Sequence, residues 1–444
     1  MPYIPNTHAD RKRMLDSIGA ASISELFDQI PEDLVMQRPL DIPGPLSEIE
    51  IRSHACALSK ENSNLEDHAS FLGAGIYDHY IPSTVGAVIG RSEFYTSYTP
   101  YQPEISQGNL QSIFEFQTLA CQLTGMEVAN ASMYDAASAL AEAALMATSI
   151  TGRKEWVVSS CVHPAYREVM RTYAWASGCK LVEAGRNGIK TDFLELSTLT
   201  TAETACVVVQ NPNFFGALES LDDAGSRAHQ SGALFIAACD PISLGLIRPP
   251  GDYDADICVA EGQSLGIPMS FGGPLLGIFA CKKKYVRQMP GRVVGATVDT
   301  EGRRGYTLTL QTREQHIRRE RATSNICTNE ALVALASAVY LTTLGKLGLQ
   351  QVANLCLQKA HYAMETISGL TDCGIPFDAP FFKEFVVQCS RPVDEINRRL
   401  LDRKIIGGLD LGRFYPDLAD HMLVCVTEMR TRDEIHAFVE GLAE

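Results

Sequence analysis

Six short apolar runs separated by helical stretches constrain the fold of this chain more than any other feature. Each run is bounded by turn residues, and in chain order they read EWVVSS, CKLVEAG, TACVVVQNP, GALFIAAC, ADICVAEG and LLGIFACKK. Apolar runs of this length are typical of strands that are buried on both faces, and helices are the usual connections between parallel strands. The sequence therefore predicts an α/β domain with a mainly parallel sheet, whose ligands should lie beyond the carboxyl ends of the strands.

Helical segments precede and follow this predicted sheet. The first segment contains ADRKRMLDSIG, then SISELFDQIP and PLSEIEIRSHACALSKENS. After the sheet, a long apolar helix with Thr328 as its N-cap is predicted to end near Gly345, and the strand-like runs FFKEFVVQC and HMLVCVTEM follow it. We therefore predict three parts: an N-terminal helical arm over residues 1–75, a large α/β domain over 76–330 and a small C-terminal α+β domain over 331–444.

Composition and charge argue against several classes of function. The formal net charge is −15 at pH 7, which disfavours nucleic-acid binding because phosphate contacts need a basic face. The 13 cysteines are dispersed without a CxxC motif, so we expect reduced, structural thiols and no metal site. The N-terminus lacks the apolar core of a signal peptide, and no apolar run is recognised near the ~20 residues that span a bilayer. These features predict a cytoplasmic protein that does not bind membranes.

The predicted layout resembles the aminotransferase-like class of pyridoxal-phosphate enzymes, which have fold type I. Such an enzyme must supply a lysine for the Schiff base, an acid for the pyridine nitrogen, a face for the ring and donors for the phosphate. Aligning GALFIAACDPISLG with the strand that carries the acid in this class places Ala238 at the acid's position. Asp240 follows two residues later, and we expect it to be a turn residue before Pro241.

The loop that should carry the lysine is equally informative. GQSLGIPMSFGGP matches the lysine segment of the glycine decarboxylase branch through Pro268 and the Gly272–Pro274 end, and this match places Gln263 at the lysine's position. A glutamine cannot form an imine with the cofactor. The nearby lysines, Lys282 to Lys284, follow the next strand, and we expect them to be a solvated charge run.

A family resemblance is carried by four longer segments: FYTSYTPYQPEISQGNLQSIFEFQT, VVQNPNFFG, SFGGPLLGIFA and the stretch from Met289 to Asn329. Together with the helical arm they closely resemble the first subunit of the two-subunit P-proteins of the glycine cleavage system, over essentially the whole chain. The resemblance implies that a second subunit carries the lysine and the acid and covalently holds pyridoxal phosphate, commonly with two copies of each subunit. It implies further that the complex decarboxylates glycine, as a glycine dehydrogenase, and transfers the aminomethyl group to the lipoyl arm of the H-protein.

If the active pocket lies between the two subunits, this chain should contribute to it. The segment between residues 76 and 112 has five tyrosines among prolines and glycines, and Tyr95, Tyr98 and Tyr101 offer ring faces and hydroxyl groups. Glu104 is a candidate for orienting a neighbour or handling a proton. The alternative is that these residues only pack an interface.

A second candidate for the pocket is the arginine-rich segment. From Arg303 to Arg321 there are six arginines and two glutamates, and we assign Arg318 to the pocket because guanidinium groups bind carboxylates and phosphates in two-point fashion. Thr323, Ser324 and Asn325 precede a predicted helix and are candidate donors to the cofactor phosphate across the interface. The alternative is a seam of salt bridges between subunits.

Two further hypotheses about the whole chain stay open at this point. The chain could be a purely structural subunit that makes no contact with the pocket, or a stand-alone pyridoxal enzyme that uses an unconventional lysine from the 282–284 run. We expect His163, which follows a predicted strand, to be a structural histidine whose hydrogen bonds are satisfied.

Overall fold

The computed structural model describes residues 5–443 and divides the chain into two units, one that ends at Ser63 and one that begins at Asn64. The first unit contains two helices whose ends are fixed by local caps. Helix α1 (His8–Ile18) begins at a Thr7 capping box, and helix α2 (Glu48–Ser59) begins at a second capping box. The predicted helix between them is only a 3-10 turn at Ser24–Phe27. None of the described residues of this unit is buried, so caps rather than a core define its structure.

The second unit carries the remaining helices and all of the described strands. Its helices are α3 (Ser83–Ile89), α4 (Gln107–Thr124), α5 (Ala136–Thr151), α6 (Pro164–Ser177), α7 (Phe193–Leu199), α8 (Leu221–Gln230), α9 (Gln315–Arg318), α10 (Ala331–Ser368), α11 (Val393–Asp402) and α12 (Arg432–Ala443). Its strands are β1 (Ala69–Ser70), β2 (Val128–Ala129), β3 (Glu155–Ser159), β4 (Lys180–Ala184), β5 (Arg186–Asn187), β6 (Lys190–Thr191), β7 (Thr204–Asn211), β8 (Leu234–Cys239), β9 (Ile257–Glu261), β10 (Gly277–Cys281), β11 (Val293–Val298), β12 (Arg304–Thr309), β13 (Cys373–Gly374), β14 (Glu384–Cys389), β15 (Ile405–Ile406), β16 (Leu409–Asp410) and β17 (His421–Cys425).

A seven-stranded sheet lies at the centre of this unit, in the order β2-β10-β9-β8-β7-β3-β4 among the described residues. Strands β9, β8, β7, β3 and β4 are parallel, whereas β10 runs antiparallel to both of its neighbours. Val207 and Val209 of β7 belong to a core cluster that includes residues of α4, α8 and α10, while Cys206 and Val208 belong to a cluster that includes residues of α5 and α6. Helices therefore cover both faces of the sheet, which confirms the predicted α/β fold with a mainly parallel sheet.

Helix α10 departs from its prediction at its beginning. Glu330 occupies the N-cap position without a side-chain hydrogen bond, and Thr328 is not the cap because its hydroxyl lies 3.3 Å from that of Thr99. The predicted end near Gly345 is confirmed, because its φ of 60° and ψ of −173° are not helical and a second helical stretch follows it to Ser368. By length and composition α10 is apolar enough to cross a membrane, so the prediction that the chain has no apolar run of this length is wrong. Residues of this helix such as Tyr340, which is 0% exposed, pack into the core.

The C-terminal part contains a smaller antiparallel sheet, in the order β13-β14-β17-β16, with α11 and α12 beside it. Strand β14 matters most for the site, because its first residue, Glu384, and Lys383 immediately before it line a cavity at the end of the central sheet. The domain limits at residues 75 and 330 stay predictions. All 13 cysteines lie in the described part of the chain, and each of them is a free thiol there.

Candidate functional site

The first candidate site is a small, partly enclosed cavity at the carboxyl ends of β8 and β9, where the fold predicts a ligand. We call it the closed cavity because charged side chains leave little space inside it. Its volume is about 30 Å³, and its lining includes Ala238, Asp240, Glu261, Lys383 and Glu384. A water molecule needs a cavity of roughly 10–15 Å³, whereas pockets for cofactor-sized ligands hold about 300–1,000 Å³. The cavity therefore has room for about two water molecules and not for a cofactor.

Gln263, at the position assigned to the Schiff-base lysine, is fully used by its neighbours. Its amide oxygen accepts from Tyr77 N at 2.9 Å, and its amide nitrogen donates to Tyr77 O at 3.0 Å and Ile267 O at 2.8 Å. The residue is 2% exposed. Gln263 therefore ties the loop after β9 to the segment around Tyr77 and leaves no group free for chemistry.

A lysine does reach this cavity, but it is Lys383, which the sequence reasoning missed. Its ammonium nitrogen lies 2.7 Å from Asp240 Oδ2, 3.0 Å from His79 Nε2 and 3.4 Å from the centre of the Tyr77 ring. The side chain is 1% exposed. Burial alone would lower the pKa of Lys383, but the Asp240 carboxylate and the thiols of Cys425 and Cys356 together outweigh that effect, and the pKa lies above its ordinary value. Lys383 is therefore a protonated cation and a poor nucleophile.

Asp240 has two roles, of which the sequence predicted one. Its Oδ1 accepts from Ile242 N at 2.9 Å, which confirms the predicted turn, while Oδ2 pairs with Lys383.

The lysine run 282–284 does not line the cavity, and Lys282 is ion-paired with Asp254 at 2.7 Å and with Asp256 at 2.9 Å. A signal for Lys383 existed in FFKEFVV, because adjacent charges in an apolar strand need buried partners.

A chain of hydrogen bonds continues from Lys383 into the protein. His79 Nε2 accepts from Lys383, and Nδ1 lies 2.7 Å from Glu428 Oε2, which also accepts from the Cys356 thiol at 3.3 Å. Burial would raise the pKa of Glu428, but the contacts with His79 and with backbone N–H groups such as that of Tyr80 together outweigh burial and lower that pKa to about 2. His79, Cys356 and Glu428 are close enough to bind a metal ion. However, the Lys383 ammonium leaves the imidazole proton on Nδ1, so the atom that would ligate a metal is a donor instead.

Two buried glutamates complete the polar lining of the closed cavity. Glu384 accepts from Ala74 N at 2.6 Å and from the Tyr77 hydroxyl at 2.8 Å, and burial raises its pKa to about 7. Glu261 accepts only from backbone N–H groups. Pyridoxal phosphate does not fit this set of residues, because the volume is too small, no acid stands at Ala238 and charged side chains fill the remaining space.

The second candidate site is an open cavity of about 550 Å³ built by two of the predicted segments. Tyr98 and Tyr101 line it from one side, and Arg292, Glu314 and His316 line it together with Gln315, Ile326 and Cys327. Arg292 is only 6% exposed, and it donates to the Tyr101 hydroxyl at 2.8 Å and to the backbone oxygen of Cys327. The Tyr101 hydroxyl in turn donates to Glu314 Oε2 at 3.3 Å. A buried ion pair therefore fixes Tyr101, while Tyr98, 77% exposed, stays free at the surface.

The structure brings together only part of the predicted pocket. Tyr95 is 60% exposed on a 3-10 turn, and neither it nor Glu104 lines the open cavity. Arg318 is exposed, and its Nε donates to Thr312 O at 3.1 Å.

The predicted phosphate donors lie beside the open cavity rather than in it. Thr323 and Ser324 line a cleft of about 10 Å³ that shares Arg292 and Glu314 with the open cavity. Asn325 is exposed and accepts from Gln315 Nε2 at 3.4 Å. The sequence reasoning missed Arg292, although it lies inside the MPGRVVG motif.

His163 is the structural histidine that was predicted. Its Nε2 lies 2.8 Å from Ala74 O and its Nδ1 accepts from Ala165 N at 3.1 Å, so a neutral ring with the proton on Nε2 satisfies both contacts. Burial also lowers the pKa of His163, which favours that neutral form.

Comparison with known proteins gives matches along the whole chain. Residues 1–442 match the model of the family described as "Glycine cleavage system P-protein". The chain is 54% identical over 442 residues to a probable glycine dehydrogenase (decarboxylating) subunit 1 from Desulforamulus reducens, covering 100% of this chain and 99% of that protein. A crystal structure of glycine decarboxylase (P-protein) of the glycine cleavage system, in inhibitor-bound form, superposes with a TM-score of 0.92 at 44% identity, covering 100% of this chain and 99% of the other.

A more distant neighbour confirms the fold alone. The sphingosine-1-phosphate lyase of Burkholderia pseudomallei superposes with a TM-score of 0.64 at 15% identity, covering 93% of this chain and 92% of the other. The fold is type I of the pyridoxal-phosphate-dependent enzymes, as the sequence predicted.

Proposed function

The chain belongs to the family of glycine cleavage system P-proteins, and from this premise we propose that it is the subunit of a glycine-decarboxylating complex that does not bind the cofactor itself. The observation that carries the proposal is the closed cavity, which has Ala238 at the assigned acid position and an internal Lys383–Asp240 ion pair. Gln263, at the assigned lysine position, is bound to Tyr77 and Ile267 and does not line the cavity. Pyridoxal phosphate is therefore covalently held by the second subunit. When bound there, it acts as the electron sink for the decarboxylation of glycine.

This chain contributes the open cavity to the active site of its partner. Tyr98 offers an exposed ring face and hydroxyl, and the Arg292–Glu314 pair orients Tyr101 beside it. Thr323 and Ser324 line the adjoining cleft, and with Asn325 they would donate to the cofactor phosphate. Arg318, Tyr95 and Glu104 do not line the open cavity and would contact the partner only outside it. Such residues exclude water and hold the substrate in the reacting geometry.

The assembly that follows from this role contains a second, lysine-bearing subunit, with two copies of each chain. A lipoylated H-protein accepts the aminomethyl group, and the complex works in the cytoplasm. An exposed aromatic side chain beside a buried, neutralised Arg–Glu pair fits a surface that becomes the wall of a pocket when a partner covers it.

Co-expression with the second subunit tests the proposal. The purified pair should exchange the carboxyl group of glycine with labelled bicarbonate, and each chain alone should be inactive. Borohydride reduction of the pair should leave a phosphopyridoxyl-lysine on the second subunit only. A verified complex without exchange, or a phosphopyridoxyl label on Lys383 or in the 282–284 run, would contradict the proposal.

A further inference from the structure

A carboxylate occupies the N-terminus of helix α5, at the wall of the closed cavity. Asp135 caps this helix by accepting from Ser138 N at 2.8 Å, which leaves the backbone N–H of Ala136 for another acceptor. That acceptor is Glu261 Oε2, at 3.0 Å. The first N–H groups of a helix carry a partial positive charge, so an anion is stabilised at this position.

The same carboxylate joins two strands to the helix. Its Oε1 accepts from Gln263 N at 3.1 Å and from Leu276 N at 2.9 Å. Glu261 is the last residue of β9, and Leu276 immediately precedes β10. Glu261 is 8% exposed, and burial raises its pKa to about 7 although the three backbone donors oppose that shift. Three segments of the chain therefore converge on one buried acceptor.

The loop that precedes α5 also supports the open cavity. Three hydrogen bonds connect loop 130–135 to segment 327–330: Cys327 N to the Tyr134 hydroxyl at 3.0 Å, Asn329 Nδ2 to Ala131 O at 3.0 Å, and Glu330 N to Ser132 Oγ at 3.0 Å. Cys327 lines the open cavity, and its backbone oxygen accepts from Arg292, the residue that holds Tyr101. The contacts of Glu261 are thus linked to the open cavity through a single short loop.

We propose that Glu261 is a positioning residue of the complex, a buried carboxyl acceptor that holds loop 130–135 and, through it, the wall of the open cavity that meets the partner's active site. This inference rests on the proposed function for its effect on turnover. Without the carboxylate, the N–H groups of Ala136, Gln263 and Leu276 lose their acceptor, so the end of the loop at α5 is no longer tied to the end of β9. The middle of the loop keeps its two backbone hydrogen bonds between Met133 and Gly277. A displacement of about 1 Å in a positioning group can lower turnover by about 100-fold.

Rescue by a small anion distinguishes this role from a general loss of stability. In the reconstituted complex, Glu261→Ala should lower kcat for glycine–bicarbonate exchange at least about tenfold. Acetate at tens of millimolar should restore part of that activity in a saturable manner, because it can replace the missing carboxylate, whereas chloride at equal ionic strength should not. Glu261→Asp, which keeps the charge, should retain more activity than the neutral Glu261→Gln.

Amide hydrogen exchange of the complex provides a readout that does not depend on activity. Peptides that cover residues 130–138 and 327–330 should exchange faster in Glu261→Ala, and acetate should slow them again. Glu219→Ala is the matched control, because Glu219 is a buried carboxylate that accepts from Thr191 and Asn213 and contacts neither peptide.

Three results would overturn the role of Glu261: wild-type kcat in Glu261→Ala, unchanged exchange of the two peptides, or equal effects of acetate and chloride. If the wild-type complex has no glycine–bicarbonate exchange but the acetate-reversible change in hydrogen exchange occurs, the proposed function fails while the positioning of the loop by Glu261 stands.

Discussion

The ion pair between Lys383 and Asp240 allows a quantitative test of the closed cavity. Lys383 is 1% exposed and its ammonium lies 2.7 Å from the Asp240 carboxylate. Removing one partner of a buried pair leaves the other charge uncompensated, which costs about 3–5 kcal/mol, whereas removing both charges is often nearly neutral. Lys383→Met also takes the donor from His79 and the cation from the face of Tyr77, which adds about 1 kcal/mol.

We therefore expect Lys383→Met to lower the free energy of unfolding by about 4 kcal/mol and Asp240→Asn by about 3 kcal/mol. The double variant leaves no uncompensated charge and should lose clearly less than the sum of the single variants, with a coupling energy of at least about 2 kcal/mol. Urea unfolding of the purified chain, followed by circular dichroism, measures all three values.

An exposed pair serves as the control for this experiment. Lys180 pairs with Glu155 at 2.8 Å, but the lysine side chain is 72% exposed. Lys180→Met should therefore change the free energy of unfolding by less than about 1 kcal/mol. A Lys383→Met variant within 1 kcal/mol of wild type, or additive effects of Lys383→Met and Asp240→Asn, would refute the assignment of a paired, protonated lysine.

Three further predictions concern the two cavities. Gln263→Lys should not create a cofactor site, because a lysine cannot accept from Tyr77 N and the cavity of about 30 Å³ is too small. Borohydride reduction in the presence of pyridoxal phosphate should leave position 263 unlabelled. A label there would contradict the conclusion that the closed cavity has no room for the cofactor. Tyr98→Ala should lower kcat/KM of the assembled complex about tenfold, or ~1.4 kcal/mol, whereas Trp175→Ala, which removes an aromatic ring that is 83% exposed and lines neither cavity, should have no effect. Unchanged turnover of Tyr98→Ala in an intact complex would favour a purely structural subunit. Burial raises the pKa of Glu384 to about 7, so the folded chain binds the Glu384 proton more tightly than the unfolded chain does. The contribution of Glu384 to stability is therefore greatest below the ordinary glutamate pKa of 4.5 and is lost as the pH rises through about 7. Glu384→Gln should flatten this dependence by up to about 3 kcal/mol between about pH 5 and about pH 8 in urea unfolding, and an unchanged slope would count against a buried, protonated Glu384.

Local patterns were sufficient to predict the central sheet. Apolar runs such as TACVVVQNP and GALFIAAC became β7 and β8, because strands covered by helices on both faces need uninterrupted apolar side chains. The C-cap of α1 at Gly19 and the N-cap of α5 at Asp135 depend only on neighbours within a few residues, so residue type alone indicates them. Thr328 failed as a cap because its hydroxyl is directed to Thr99, a contact 229 residues away.

The lining of the closed cavity could not be read from local sequence. Lys383 contacts His79, which is 304 residues away, and Gln263 contacts Tyr77, which is 186 residues away. Whether a buried charge is compensated depends on such distant partners. A motif can therefore show that the expected lysine is absent, but not which side chain occupies its space. Matching the loop to a lysine segment identified Gln263, but no pattern showed that an ammonium group from another strand would fill the space.

The two cavities together explain how one fold can serve as half of an active site. In the closed cavity the ionisable side chains have internal partners: Lys383 pairs with Asp240, Glu384 accepts from Ala74 and Tyr77, and Glu261 accepts from three backbone N–H groups. These contacts stabilise the end of the sheet without a cofactor. The open cavity has the opposite character, since Tyr98 is exposed and unsupported beside the fixed Tyr101. The end of the sheet, whose polar side chains are bonded to one another, can therefore hold the partner-facing surface in place. A subunit without its own cofactor needs such a fixed surface to contribute to its partner's active site.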